Sequence, residues 1–85
     1  MQETAVKQVW PPYPPQAKAA RISGSVVVEI TTSEDGKIES ARAVSGHPLL
    51  RDAAVDAARG WEFKPTTVGG KRVKVVGTLT FNFQG

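Results

Sequence analysis

Residues 73–84 alternate between apolar and polar side chains, and this pattern constrains the fold more than any other. One parity is apolar apart from a glycine, and it comprises Val73, Val75, Gly77, Leu79, Phe81 and Phe83. The other parity is polar apart from Val76. A period of two is typical of a β-strand with one buried and one solvated face. We therefore predict a closing strand over residues 73–83, about 36 Å long at ~3.3 Å per residue.

A strand of this length is either paired along both edges or leaves one row of backbone N–H and C=O groups free. A free row is a template on which a visiting peptide can add a further strand. We therefore expect the closing strand to lie at a sheet edge and to bind a partner there. Two alternatives would cover the edge, namely pairing with a second copy of the chain or cover by the N-terminal residues.

Size and composition limit the chain to one small domain. Its 85 residues allow one sheet backed by one or two helices, and they leave no room for an enzyme pocket between lobes. The absence of cysteine excludes disulfides, thiolate metal sites and cysteine nucleophiles. No apolar run approaches 18 residues, and the N-terminus lacks the layout of a signal peptide. Any membrane anchor is expected outside this chain.

The net charge of +3 raises the question of nucleic acid binding. The only basic cluster is Lys71, Arg72 and Lys74, and no aromatic residues interleave with it as a base-stacking surface requires. We interpret the charge as a contribution to solubility and expect no nucleic acid partner. A small basic nucleic-acid binder is kept as the third hypothesis, after peptide binding and self-pairing.

The first part of the chain is predicted to be a lead followed by a short helix. Residues 1–12 show no apolar period and are expected to be a flexible, proline-containing lead. Prolines and aromatics in residues 10–15 favour a polyproline II conformation. Good helix formers after Pro15 predict a short helix that ends at Ser23 and Gly24.

The middle of the chain is predicted to be a β-hairpin followed by a helix. Strands around residues 26–31 and 37–44 flank a turn, and a β-bulge near Ser40 would restore the inward face of the second strand. Pro48 opens a helix and Gly60 ends it. The apolar stripe of this helix comprises Leu50, Ala53, Ala54, Ala57 and Trp61.

These elements predict an α+β fold with a three-stranded antiparallel sheet and helices packed on one face. Residues 66–71 are interpreted as a loop before the closing strand. Trp61 and Phe63 are predicted to be core residues. For Trp10, exposure and folding back onto the domain are equally expected.

No residue pattern supports catalysis, a metal or a cofactor. His47 is the only histidine, has no carboxylate at ligand spacing, and is interpreted as a helix-entry residue. Asp52 and Asp56 lie one helical turn apart beside Arg51 and Arg59, which is typical of a solvated helix face rather than an acid–base pair. We therefore expect a binding domain rather than an enzyme.

Several short motifs follow one another in a fixed order along residues 13–85. They are Tyr13-Pro14, Gly24-Ser25-Val26-Val27-Val28, Glu34-Asp35-Gly36-Lys37-Ile38, His47-Pro48-Leu49-Leu50, Ala53-Ala54, Trp61-Glu62-Phe63-Lys64-Pro65, Phe81 and Phe83. This ordered set resembles the C-terminal domain of TonB-type energy transducers. The chain departs from that family at Gly60, where members often carry a longer, basic side chain.

The resemblance implies a periplasmic domain whose parent protein is anchored in the bacterial inner membrane. It also implies two sets of partners: outer-membrane receptors for nutrients, bound through their TonB box, and the inner-membrane proteins ExbB and ExbD. Carried onto this sequence, the expected receptor-binding residues are Trp10, Pro11, Pro12, Tyr13, Val75, Val76, Gly77, Thr78, Leu79, Thr80 and Phe81. A structural or assembly module that self-pairs into a homodimer through its last strand is the alternative.

Overall fold

The structure, a computed structural model, describes residues 5–84 and is built around a three-stranded antiparallel sheet. The elements in chain order are β1 (Ala5–Lys7), α1 (Pro15–Ala19), β2 (Gly24–Thr32), β3 (Ile38–Ser45), α2 (Pro48–Arg59), β4 (Glu62–Phe63), β5 (Thr66–Val68), β6 (Lys71–Val73) and β7 (Val75–Phe83). Strand order in the main sheet is β3-β2-β7. The predicted α+β class, with three antiparallel strands and helices on one face, is confirmed.

The two strand pairs of the main sheet differ in regularity. The β2–β7 pair runs without a break from Gly24 opposite Phe83 to Thr32 opposite Val75. The β2–β3 pair shifts register twice, which leaves Glu39 and Val44 without partners on β2. The shift at Glu39 confirms the bulge predicted near Ser40.

Helix α2 covers one face of the sheet and begins and ends as predicted. The Nδ1 atom of His47 accepts a 3.1 Å hydrogen bond from the backbone N–H of Leu49, Pro48 occupies the first turn, and Gly60 caps the C-terminus. The role predicted for His47 at the helix entry is therefore confirmed.

The core lies between α2 and the inward face of β2 and β7. Its fully buried side chains include Leu50, Ala54, Trp61, Ile30 and Leu79. Ala53 of the predicted stripe is only partly buried, whereas Ala58 is fully buried. Trp61 and Phe63 are core residues, as predicted.

The prediction of a loop over residues 66–71 is wrong, because β5 and β6 form a small hairpin there. Gly69 and Gly70 make its turn with φ values of 59° and 81°, a region that glycine enters without a steric cost. The closing strand is correspondingly shorter than predicted. Val73 belongs to β6, the chain departs from strand geometry at Lys74, and β7 begins at Val75.

The N-terminal lead contains ordered contacts that no period in the sequence indicates. Strand β1 pairs with β4, with Ala5 opposite Phe63 and Lys7 opposite Glu62. Three residues are too few to show an alternation, so no strand is predicted there from sequence. Residues 1–4 of the predicted flexible lead lie outside the described residues. Among residues 5–84, neither helix has the length and hydropathy that a membrane crossing requires.

Candidate functional site

Strand β7 lies at an edge of the main sheet. Within residues 5–84 its only strand partner is β2, so its other edge carries no strand. The edge position predicted for the closing strand is confirmed. The free edge is nine residues long and has no irregularity in its register with β2.

The orientation of the Val75 backbone fixes which residues face the free edge. Its N–H donates a 3.1 Å hydrogen bond to Thr32 Oγ1, and that hydroxyl donates a 3.3 Å bond to its C=O. Both backbone groups of Val75 therefore point toward β2. Because an antiparallel strand sends the groups of successive residues to opposite sides, those of Val76, Thr78, Thr80 and Asn82 point outward.

A side-chain contact at the other end of the strand agrees with this parity. Ser25 Oγ donates a hydrogen bond to Asn82 Oδ1 across the β2–β7 pair. In an antiparallel sheet, side chains lie closer together at residue pairs that exchange no backbone hydrogen bonds. The alternation from Val75 makes Ser25 and Asn82 such a pair. Asn82 was not among the residues predicted for the site. The alternation that selected Val76, Thr78 and Thr80 would have included Asn82 if it had been continued by two residues.

The other predicted residues of β7 lie on its core-facing side. Leu79 and Phe81 are buried, Val75 and Gly77 are partly buried, and by parity the backbone groups of all four face β2. Val76, Thr78 and Thr80 are exposed. The predicted strand residues thus form two sets. One set packs its side chains into the core and bonds to β2, and the other has exposed side chains and backbone groups that face the free edge.

Trp10 lies beside the C-terminal half of this edge. Its ring packs edge-on against Trp61 and Phe81, with centroids 5.6 and 6.3 Å away, yet 60% of the residue is exposed. With Pro11, Thr80, Phe81 and Asn82 it lines a hollow of about 370 Å³. Trp10 therefore folds back onto the domain and stays open to solvent at the same time.

Pro12 and Tyr13 do not line this hollow. The Tyr13 hydroxyl donates a hydrogen bond to the carbonyl of Ile22, and its ring packs edge-on against Phe83 with centroids 5.8 Å apart. Both residues line a separate groove beside α2. The structure therefore brings Trp10 and Pro11 to the end of β7 and gives Tyr13 a role in anchoring the lead.

The other outer edge of the sheet is less regular. Strand β3 carries two register shifts, and bulges of this kind disrupt the ladder and twist an edge away from a straight partner. Strand β7 has none. Of the two outer edges, β7 is the better template for an added strand.

The basic cluster near the start of β7 is largely neutralised. Arg72 Nη1 lies 3.0 Å from Asp35 Oδ1, and Lys74 Nζ lies 3.0 Å from Glu39 Oε2. In the part of the chain that the structure describes, no group of three potential metal ligands occurs.

Comparison with known proteins identifies the family. The family model for the Gram-negative bacterial TonB protein C-terminal matches residues 9–84. "Protein TonB" of Klebsiella pneumoniae is 31% identical over 83 residues, covering 95% of this chain and 33% of that protein. "Protein TonB" of Xanthomonas campestris pv. campestris (strain B100) is 36% identical over 64 residues, covering 73% of this chain and 29% of that protein.

A solved structure shows the same fold. The solution NMR structure of the Pseudomonas aeruginosa TonB CTD superposes with a TM-score of 0.72 at 33% sequence identity. The match covers 94% of this chain and 83% of that one. The chain spans about a third of the length of the curated relatives it matches. The family match over residues 9–84 and the shared fold place the chain in the TonB C-terminal domain family.

Proposed function

We propose that this domain binds a short segment of an outer-membrane receptor, the TonB box, by strand addition to the free edge of β7. The observation that carries the proposal is the outward row of backbone groups on Val76, Thr78, Thr80 and Asn82. A guest strand that follows this row bonds to N–H and C=O groups that β2 leaves unused. Trp10 and Pro11 contact the guest where it passes Thr80.

The energetics of such an edge suit a partner whose sequence varies. Each backbone hydrogen bond contributes about 0.5–1.5 kcal/mol net, and the bonds do not depend on the guest's side chains. Several bonds in a row also share a mechanical load. The hollow beside Trp10 adds a contact for one guest side chain.

The wider role follows from the family. We propose that the domain is the periplasmic part of a TonB-like energy transducer whose parent is anchored in the inner membrane and works with ExbB and ExbD. In this role the domain supports active nutrient uptake and is not an enzyme. A structural module that pairs with its own copy through β7 remains the alternative, since the same free edge can receive a second copy.

The test is an amide-shift titration of the labelled domain with TonB-box peptides from receptors of the same source. The expected shifts cluster on β7 and Trp10. Thr80→Pro removes an outward N–H without breaking a bond to β2, so it should abolish binding while the domain stays folded. Thr80→Val keeps that N–H and is the matched control.

Two outcomes would refute the site. One is a set of shifts that avoids residues 75–83, and the other is unchanged affinity after both Thr78→Pro and Thr80→Pro. Sedimentation at rising protein concentration tests the alternative, in which two copies pair through β7. Self-association that Thr80→Pro eliminates would support pairing between copies.

A further inference from the structure

A second surface lies away from the β7 edge, between the proline-rich segment and α2. It is a groove of about 550 Å³ that no residue of β7 lines. Apolar side chains make much of its wall, among them Val9, Pro12, Leu49 and Ala53. The prolines fix the backbone on one side, and a helix fixes the other, so the groove is preformed and needs little ordering to receive a ligand.

Two carboxylates, Asp52 and Asp56, also line the groove. They lie one turn apart on α2, a spacing that brings their Cβ atoms to roughly 5–6 Å. The four ion pairs among residues 5–84 use Glu29, Asp35, Glu39 and Glu62, so neither groove carboxylate has a cationic partner there. Although the chain has a net charge of +3 and Arg51 and Arg59 flank these carboxylates in sequence, no lysine or arginine lines the groove itself.

We propose that this groove binds a peptide segment in which an arginine or lysine follows an apolar side chain. The apolar side chain packs between Pro12 and Ala53, and the cation lies between Asp52 and Asp56. Arginine suits the site better than lysine, because its planar fork can bond to two carboxylates. The carboxylates disfavour nucleic acid and other anionic partners, and the apolar wall beside them suits a peptide that presents an apolar side chain next to its cation.

The two binding surfaces of the domain are independent under this proposal. The β7 edge forms hydrogen bonds with the backbone of its guest, whereas the groove recognises a positive charge and an apolar side chain. A partner that offers both kinds of segment would be held at two points, and the combined affinity would exceed that of either segment alone.

The test is an amide-shift titration with a blocked pentapeptide, glycine-leucine-arginine-leucine-glycine. The matched probe replaces arginine with citrulline, which has nearly the same shape and no charge. The arginine peptide should shift the amides of Leu49, Ala53 and Ala57 and should bind more weakly as salt is raised. The citrulline peptide should bind roughly twofold to tenfold more weakly, as expected for losing exposed ion pairs.

Variants of the protein make the test specific. Asp52→Asn and Asp56→Asn should each weaken binding of the arginine peptide about twofold to fivefold. Glu34→Gln removes the same charge from an exposed position in the β2–β3 turn and should leave the affinity unchanged. Thr80→Pro should also leave it unchanged. Equal affinity for the two peptides, equal loss in Glu34→Gln, or no shifts in the groove at millimolar peptide would each overturn the proposal.

Discussion

The indole Nε1–H of Trp61 donates a 2.7 Å hydrogen bond to the backbone carbonyl of Val9. The bond joins a fully buried ring that follows α2 to the segment that precedes the prolines. Trp10 is the next residue, and its ring packs on Trp61 and Phe81. One buried side chain thus sets where the lead crosses the domain and where Trp10 meets the edge of β7.

Replacing this donor should loosen the lead. Trp61→Phe keeps an aromatic ring but leaves the Val9 carbonyl without its bond, and we expect a loss of about 1–3 kcal/mol in the free energy of unfolding. Trp10 is then the only tryptophan in the chain. Urea unfolding followed by its fluorescence should show a lower midpoint than that of the unsubstituted domain. An unchanged midpoint would mean that the bond contributes little.

Gly60 makes room for the same segment. A Cβ atom built at Gly60 would lie 2.9 Å from Val9 Cγ2, although the backbone there, with φ of −87°, accepts any residue. We expect Gly60→Ala to destabilise the domain by about 1 kcal/mol through crowding, despite the better helix propensity of alanine. In a Val9→Ala background the same substitution should become neutral or stabilising. Equal effects in both backgrounds would contradict the predicted contact.

Thr32 fixes the start of β7. It is 3% exposed, and its hydroxyl bonds both backbone groups of Val75. Thr32→Val preserves the shape but removes both bonds, so we expect a loss of about 1–3 kcal/mol. Amide hydrogen exchange should accelerate most at Val75. Thr31→Val, at the neighbouring half-buried position, is the control and should have a smaller effect on that amide.

The His47 cap should stabilise α2 through its ring nitrogen. His47→Ala removes the acceptor for the Leu49 N–H and should cost about 0.5–2 kcal/mol, measured by thermal or urea unfolding. His47→Asn supplies a side-chain oxygen at the same position and should restore most of the loss. If alanine and asparagine were equally destabilising, the cap bond would not be the cause.

The sequence predicts the main sheet and α2 well because their patterns are long. Alternation over residues 73–84 identifies the buried face of β7, and the spacing of Leu50, Ala54 and Trp61 identifies the buried face of α2. A bulge next to Ser40 is predictable because the apolar residues of β3 change parity there. Each of these signals spans enough residues for a period to show.

The parts that the sequence does not predict depend on short or distant contacts. Strands β5 and β6 have three residues each and pair with each other across the turn at Gly69 and Gly70. Tyr13 is anchored by a hydrogen bond to Ile22, nine positions away, and by packing on Phe83, 70 positions away. Which residues of β7 face outward depends on Thr32, which lies 43 positions away in the chain. Local patterns contain no information about such partners.

The two register shifts in β3 have a consequence for how copies of this domain can assemble. Endless stacking, in which β7 of one molecule adds to β3 of the next, needs two straight borders, and the molecule has only one. Two molecules can still join β7 to β7, but that arrangement uses up both straight borders and closes the assembly. The irregular strand is therefore a poor acceptor for endless stacking of this kind.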